Sequence, residues 1–285
     1  MRRYAEIIVR GGLGNQLFCM LHAYKLLLQG ELPRLNLWEY TLRHTTGRPF
    51  LASSLLSNTK HPIESTRKLT DLIHFLLARS IDKAQIKLLP ATLHKVPGDN
   101  QIVLALPCGP SIHIGYYQHI NNSALDKCAL AMLRNDIRDS ISLNRRANHL
   151  AVHLRRGDYL LANHSQHGVI ALKPVLDQIS RLLLTDRYST VVIFTDSPSL
   201  FSEKDFSSLN ASIIYDTSSN GIEAISSMMC CEGIIASNST LSLWAGLLSD
   251  CTDFLIPSAW TKECSSSVLG LEWVKRYPAY FESTA

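Results

Sequence analysis

Ala151-Val-His-Leu-Arg-Arg-Gly-Asp-Tyr159 is a short apolar run that stops abruptly at two adjacent arginines, with an acid three residues after the first. In α/β proteins, ligands bind just past the carboxyl ends of parallel strands, at the point where the strand order reverses. Arg155 and Arg156 are therefore placed where a phosphorylated ligand can be gripped. Arginine suits that task because its planar fork binds two phosphate oxygens at once and never loses its charge. The alternative is an arginine paired with Asp158 on the surface.

Working outward from this stretch, apolar runs at 151–154, 190–195, 212–215, 233–236 and 253–256 read as strands. Helical patterns fill the gaps at 172–184, 221–231 and 240–249. Strands alternating with helices of this length imply βαβ units and a parallel sheet. The first half opens with a strand at Glu6 to Val9, a Gly-rich turn and a helix running to about Gln29. A helix over Arg67–Ile81 places Leu69, Leu72, Ile73, Leu76 and Leu77 on one face, the spacing of a core-facing stripe. A strand around Ile112–Tyr116 and a helix near Ser123–Asp139 complete this half. The polar stretch Asn144–Asn148 is the candidate linker. The fold class expected is α/β, with domains at 1–145 and 146–285 and a cleft between them.

The composition is that of a globular protein, with 46% hydrophobic and 18% charged residues in 285. A net charge of +4 suits an anionic small molecule or loose contact with an acidic membrane surface, and is too weak to argue for nucleic acid. No signal peptide or membrane-spanning stretch is read, and seven cysteines without a CxxC pair read as reduced, mostly buried thiols. A cytoplasmic protein, able to rest on the inner face of the cytoplasmic membrane, is expected.

Three further segments follow a strand. Gly11-Gly-Leu-Gly-Asn-Gln16 has glycines that admit a ligand close to the backbone, and a helix start that offers N–H groups to an anion. Leu17 stands where a dinucleotide fingerprint needs its third glycine, and no Gly-Lys-Ser/Thr follows, so neither that fingerprint nor a Walker loop is present. Asn15 and Gln16 offer amides to an oxygen-rich ligand; a plain tight turn is the alternative. Asp196, ending Val191-Val-Ile-Phe-Thr-Asp196, can bond a ribose hydroxyl or base edge, or cap the turn that follows. In Ile234-Ile-Ala-Ser-Asn-Ser-Thr-Leu-Ser-Leu-Trp244, Ser239 or Thr240 is a good N-cap, and the same helix start makes a phosphate site from dipole and hydroxyls.

These residues together carry a resemblance. Gly11-Gly-Leu-Gly-Asn-Gln-Leu-Phe18, Gly115-Tyr-Tyr-Gln118, His153-Leu-Arg-Arg-Gly-Asp-Tyr159, His167-Gly168, Phe194-Thr-Asp196, Asn238-Ser-Thr-Leu-Ser-Leu-Trp244 and Pro257-Ser-Ala-Trp260 stand in the order seen in bacterial α-1,2-fucosyltransferases, glycosyltransferase family 11. The resemblance runs from residue 5 to about residue 276. It implies a GT-B architecture of two Rossmann-type domains, an N-terminal acceptor-side domain and a C-terminal domain that binds the GDP-sugar. It implies GDP-β-L-fucose as donor, inversion at the fucose carbon, and an α-1,2 link to the 2-hydroxyl of a terminal galactose in a surface glycan or oligosaccharide. No metal or other cofactor is implied, and the chain has no Asp-x-Asp motif.

By the resemblance, Arg155 holds the donor's β-phosphate, Arg156 braces the loop, His153 lies near the guanine, and Asn15 reaches the phosphate or the fucose. Gly14, Gln16, Asp196, Asn238, Ser239 and Thr240 complete the expected donor set, and Tyr117, Gln118 and His167 the acceptor set. Asp158 is the candidate base, with His153 and His167 as rivals; Asp158 as a mere buttress of an arginine is the alternative. Three departures stand out: Ser197 follows Asp196 where a second acid is usual, Leu241 and Leu243 replace aromatic residues, and Ala224 occupies a place often held by aspartate, beside Glu223. A transferase using another GDP-sugar such as GDP-mannose shares every phosphate feature. A non-catalytic sugar-binding module gives no reason for two arginines at a strand end, and the missing third glycine argues against an NAD-type dehydrogenase.

Overall fold

A computed structural model describes residues 4–42, 49–55, 61, 63–84, 92–95, 102–105, 110–161 and 166–282. The chain divides into two compact units, Met1–Ser140 and Ile141–Ala285. Each is an α/β unit built on its own six-stranded sheet. The strand that opens the second unit begins at Arg146, so the polar stretch expected to be a linker is in part strand.

In the first unit the chain runs through β1 (Tyr4–Ile8), α1 (Leu13–Leu28), β2 (Leu32–Asn36), α2 (Trp38–Leu42), α3 (Ala52–Leu55), β3 (Glu64–Thr66) and α4 (Leu69–Ala84). It continues through β4 (Thr92–Lys95), β5 (Ile102–Ala105), β6 (Ser111–Ile114) and α5 (Ala124–Ser140). The strand order is β3-β2-β1-β6-β5-β4. Strands β3, β2, β1 and β6 run parallel, while β5 and β4 fold back antiparallel at one edge. The order reverses between β1 and β6, so the loops that leave these two strands are neighbours.

The apolar stripe expected on α4 faces the core only in part: Leu72 packs against it and Leu77 is half-buried. Asp71, Phe75 and Ala78 are buried, while Leu69, Ile73 and Leu76 are 73%, 55% and 47% exposed. Polar anchors set the helix rotation. The Asp71 carboxylate accepts from Lys68 N–H (3.0 Å) and Thr66 Oγ1 (2.5 Å), and its carbonyl accepts from Asn36 Nδ2 (2.7 Å). One turn on, His74 Nδ1 meets Glu6 Oε2 at 2.8 Å. Each buried polar group left unsatisfied costs about 1–3 kcal/mol, the same order as exposing one leucine, and several such groups anchor this helix.

The second unit runs through β7 (Arg146–Leu154), α6 (Leu172–Leu183), β8 (Thr190–Thr195), β9 (Ser212–Tyr215), α7 (Gly221–Met229), β10 (Cys231–Ile235), α8 (Thr240–Leu248), β11 (Asp253–Pro257) and β12 (Lys275–Tyr277). All six strands are parallel, in the order β12-β11-β10-β7-β8-β9. Numbered within the unit this is 3-2-1-4-5-6, the doubly wound dinucleotide-binding order. Central β7 is covered on both faces, which is why Leu150-Ala-Val-His-Leu154 reads as an unbroken buried run. Helix α8 is apolar all round and buried from Ser242 to Leu248, as such a helix must be. The order reverses between β7 and β10, and the segments that follow them open onto the same place.

Among the described residues no helix is long and apolar enough to cross a membrane. Cys19, Cys230 and Cys231 are buried free thiols, Cys251 is half-buried, Cys128 and Cys264 are exposed, and Cys108 lies outside the described residues.

Candidate active site

At the end of β7 the chain turns through Arg155-Arg156-Gly157 into a short 3-10 turn, Gly157–Leu160. Arg155 is held from two sides. Its Nη2 lies 2.6 Å from Asp158 Oδ1 and its Nη1 lies 2.8 Å from Asp196 Oδ2. The guanidinium carbon sits 5.4 Å from the centre of the Tyr159 ring, a cation–π contact. The side chain keeps 25% of its surface open, so it is braced yet reachable.

Arg156 turns the other way. Only 5% of its side chain is exposed, and its Nη2 pairs with Glu282 Oε1 at 3.0 Å, while Nη1 donates to the Arg155 carbonyl. It braces the loop, as the resemblance implies. Its guanidinium is engaged by these protein partners. The physical reason is the counter-charge on Glu282, a surface residue whose carboxylate reaches the otherwise buried guanidinium.

His153, one residue before the end of β7, is also interior. Its Nδ1 meets Ser237 Oγ (2.8 Å) and Ser242 Oγ (2.9 Å), so it ties β7 to the segment after β10 and to the first turn of α8. Burial, with the Arg155 charge adding to it, pushes its pKa down to about 3. Buried at 5% exposure, it is seen as a structural tie.

After β10, Asn238 fastens three loops. Its Nδ2 faces the carbonyls of His167 (2.9 Å), Gly168 (3.1 Å) and Trp260 (3.1 Å), and its own carbonyl accepts from Tyr159 Oη (3.1 Å). Its Oδ1 is buried and has no hydrogen-bond partner among the described residues. Ser239 holds the N-cap position of α8 but makes no side-chain cap bond, so the capping alternative raised by the sequence is not what is seen. Ser239 is buried and Thr240 half-buried. His167 stacks on Tyr159, with ring centres 4.8 Å apart and planes 17° from parallel.

Asp196 neither caps the following turn nor points free. Besides Arg155 it accepts from Arg156 N–H at 2.9 Å, and beside it Ser197 Oγ accepts from Gly157 N–H at 3.1 Å. Both oxygens are engaged within the protein, so Asp196 is seen as a brace of the Arg155 loop. Glu223 accepts from Ser219 N–H and Asn220 Nδ2 at the start of α7, which makes it a helix-cap residue.

In the first unit, Gly11 has φ +77°, and its carbonyl accepts from Tyr40 Oη. Gly14 is buried in the first turn of α1. Gln16 is fully buried with all its hydrogen-bonding groups in use. Nε2 donates to Gly11 O (3.2 Å) and Pro49 O (3.0 Å), and Oε1 accepts from Leu51 N–H (2.8 Å) and Ala52 N–H (3.0 Å). Gln16 is thus a scaffold, not a donor ligand. Asn15 and Gln118 are half-buried and bonded to each other, Gln118 Nε2 donating to Asn15 Oδ1 at 2.9 Å. Tyr117 is corrected from the acceptor set. With φ +53° the backbone turns sharply after β6 and sends the ring inward, 2% exposed and flat against His22 at 4.1 Å.

Among the described residues one cluster has metal-capable spacing, Glu6, Asp71 and His74, with ligand atoms within 4.8 Å of one another. Its carboxylates are engaged by Asn36, His74, Thr66 and Lys68 in the anchoring of α4.

Two sheets, each with a ligand-competent switch point, and an arginine braced by two carboxylates match a sequence pattern already known. The family model described as Glycosyl transferase family 11 matches residues 4–274. The chain belongs to this family. It is therefore a glycosyltransferase with a mixed α/β, GT-B-like fold. No curated protein matches the chain. Among solved structures, POFUT1 in complex with GDP is similar at 12% identity over 90% of this chain and 98% of that one, with a TM-score of 0.43. POFUT1 in complex with GDP-fucose gives 11% identity over 90% and 97%, TM-score 0.42. A glycosyl transferase family 9 protein from Veillonella parvula DSM 2008 gives 8% identity over 96% and 84%, TM-score 0.47.

Sequence reading missed Ser237, Ser242 and Glu282. The two serines flank the start of α8 and carry a faint signal as hydroxyls opposite a buried histidine. Glu282 carries none, since nothing local links it to an arginine 126 residues away.

Proposed function

We propose that this transferase moves L-fucose from GDP-β-L-fucose to the 2-hydroxyl of a terminal galactose, with inversion to an α-1,2 link. The second unit binds the donor and the first serves the acceptor. The observation that carries the reading is the convergence at the β7/β10 switch point. A braced, partly open Arg155 ends one strand, and the Asn238–Thr240 segment leads from the other into the start of α8. Such a place favours a diphosphate, because helix N–H groups and a guanidinium both attract anions.

As the bond to the sugar breaks, charge grows on the β-phosphate oxygen while the fucose becomes oxocarbenium-like. Arg155 and the α8 start stabilise that charge, and one such preorganised donor contributes about 3 to 4 kcal/mol. No divalent cation is needed for that task. Asp158, on the turn after β7, is the proposed base for the acceptor hydroxyl. Asn15 and Gln118, joined at the β1/β6 switch point, are the polar groups proposed to face the sugars. The product enters a surface glycan or an oligosaccharide, made by a protein at the cytoplasmic side that can rest on the inner membrane.

The test is turnover of GDP-fucose beside GDP-mannose with a panel of galactose-ended acceptors, reading product linkage by NMR. An α-1,2-fucosyl product supports the proposal. Turnover of GDP-mannose alone, or GDP binding without transfer to any acceptor, rejects it.

A further inference from the structure

We propose that Asp196 acts on the reaction through Arg155, as a positioning residue, instead of contacting the donor. This rests on the assignment of Arg155 to the leaving phosphate.

An arginine head on a long flexible stem loses up to about 2 kcal/mol of rotamer freedom when it is fixed, so something must hold it in place. Asp158 holds Nη2, but it belongs to the same loop and moves with it. Asp196 stands on a different strand, at the carboxyl end of β8, the direct neighbour of β7. One carboxylate there does two things: Oδ2 takes the arginine head at 2.8 Å, and Oδ1 takes the backbone N–H of Arg156 at 2.9 Å. The next residue extends the attachment, since Ser197 Oγ accepts from Gly157 N–H and its own N–H donates to Thr195 Oγ1. Residues 155 to 157 are thereby stitched to the rigid end of β8.

Gly157 supplies an independent observation. A Cβ placed there would lie 2.2 Å from Asp196 Oδ2 and 2.7 Å from its Cγ. Its backbone is not in the left-handed region, so conformational freedom does not explain a glycine here. Space for the Asp196 carboxylate does. The glycine between two functional residues is thus accounted for by the contact that orients Arg155.

The two contributions to this contact can be broken separately. Asp196→Asn keeps an oxygen for Arg156 N–H but removes the ion pair. Gly157→Ala keeps the charge and pushes the carboxylate off the guanidinium. Each is expected to lower kcat for GDP-fucose about a hundredfold, the cost of misplacing a catalytic group by about 1 Å, with the thermal melting temperature little changed. In an Arg155→Ala background, with residual turnover followed by radiolabelled donor, either change is expected to cost less than about twofold more, because coupled residues are not additive. Near-wild-type turnover in both single variants, or a full further loss on top of Arg155→Ala, would overturn the inference and leave the phosphate role of Arg155 standing. Arg155→Ala at wild-type rate would overturn that role and the inference together.

Discussion

Gln16 separates a scaffold from a ligand, because the sequence invites the second reading and the geometry gives the first. In Gln16→Ala four hydrogen bonds are lost. Gly11 O keeps Tyr40 Oη, and Pro49 is exposed enough for water to replace the amide. Leu51 N–H is half-buried, and Ala52 N–H, the first amide of α3, is buried. With both carbonyls compensated, about 0.5–1.5 kcal/mol for the Leu51 bond and about 1–3 for the Ala52 donor left orphaned leave a loss of about 2–4 kcal/mol. Gln16→Glu is expected to do at least as much harm, since it turns an oxygen toward two carbonyls. The assay is urea unfolding followed by circular dichroism, beside calorimetry of GDP binding. The reasoning predicts a lower urea midpoint with GDP affinity little changed. Wild-type stability together with a clear loss of GDP affinity would refute it and return Gln16 to the donor site.

Arg155→Ala is expected to abolish nearly all transfer while the chain stays folded by circular dichroism, and Arg155→Lys to rescue little, because a point charge cannot replace the fork; a lysine variant near wild-type kcat would contradict this. Turnover is expected to persist in EDTA, and a loss restored by Mg²⁺ or Mn²⁺ would show that a cation takes part. Asp158→Asn is expected to cut kcat at least about a hundredfold with GDP affinity kept; parallel losses in both would leave Asp158 only the support of Arg155 that its 2.6 Å contact already makes it. Stability is expected to fall as pH drops from about 6.5 toward 4. Burial holds the pKa of His113 near 4, that of His153 near 3 and that of His22 well below its ordinary value, while the unfolded chain takes up these protons around 6.5. The urea midpoint should decline with acid less steeply in His113→Phe and His153→Phe, and an equal slope in the variants would count against the assignment.

The second unit was legible because each of its strands is a short buried run between turn residues, and the parallel order follows from the alternation with helices. The Arg155 loop and the Asn238 segment were placed correctly for the same reason: both stand at strand ends. What sequence could not give is direction. Arg155 and Arg156 are alike in the chain, yet one is braced at the surface and the other is spent on Glu282, a partner fixed only by the fold. His153, Gln16 and Tyr117 carry ligand-like chemistry but point inward. The α4 stripe held only in part because periodicity counts apolar residues, whereas Asp71 and His74 set which face turns in.

The strand order of the second sheet also decides when its site can exist. Strands β7, β8 and β9 pair in chain order, His149 beside Thr190 and Thr190 beside Ser212. The other half of the site arrives only when β10 crosses back to dock on β7, some eighty residues after the arginines. Until that crossing, His153 faces neither Ser237 nor Ser242, so a chain without it has the Arg155 loop but not the segment that follows β10. Competence for chemistry thus requires one further long-range strand pairing, between β7 and β10.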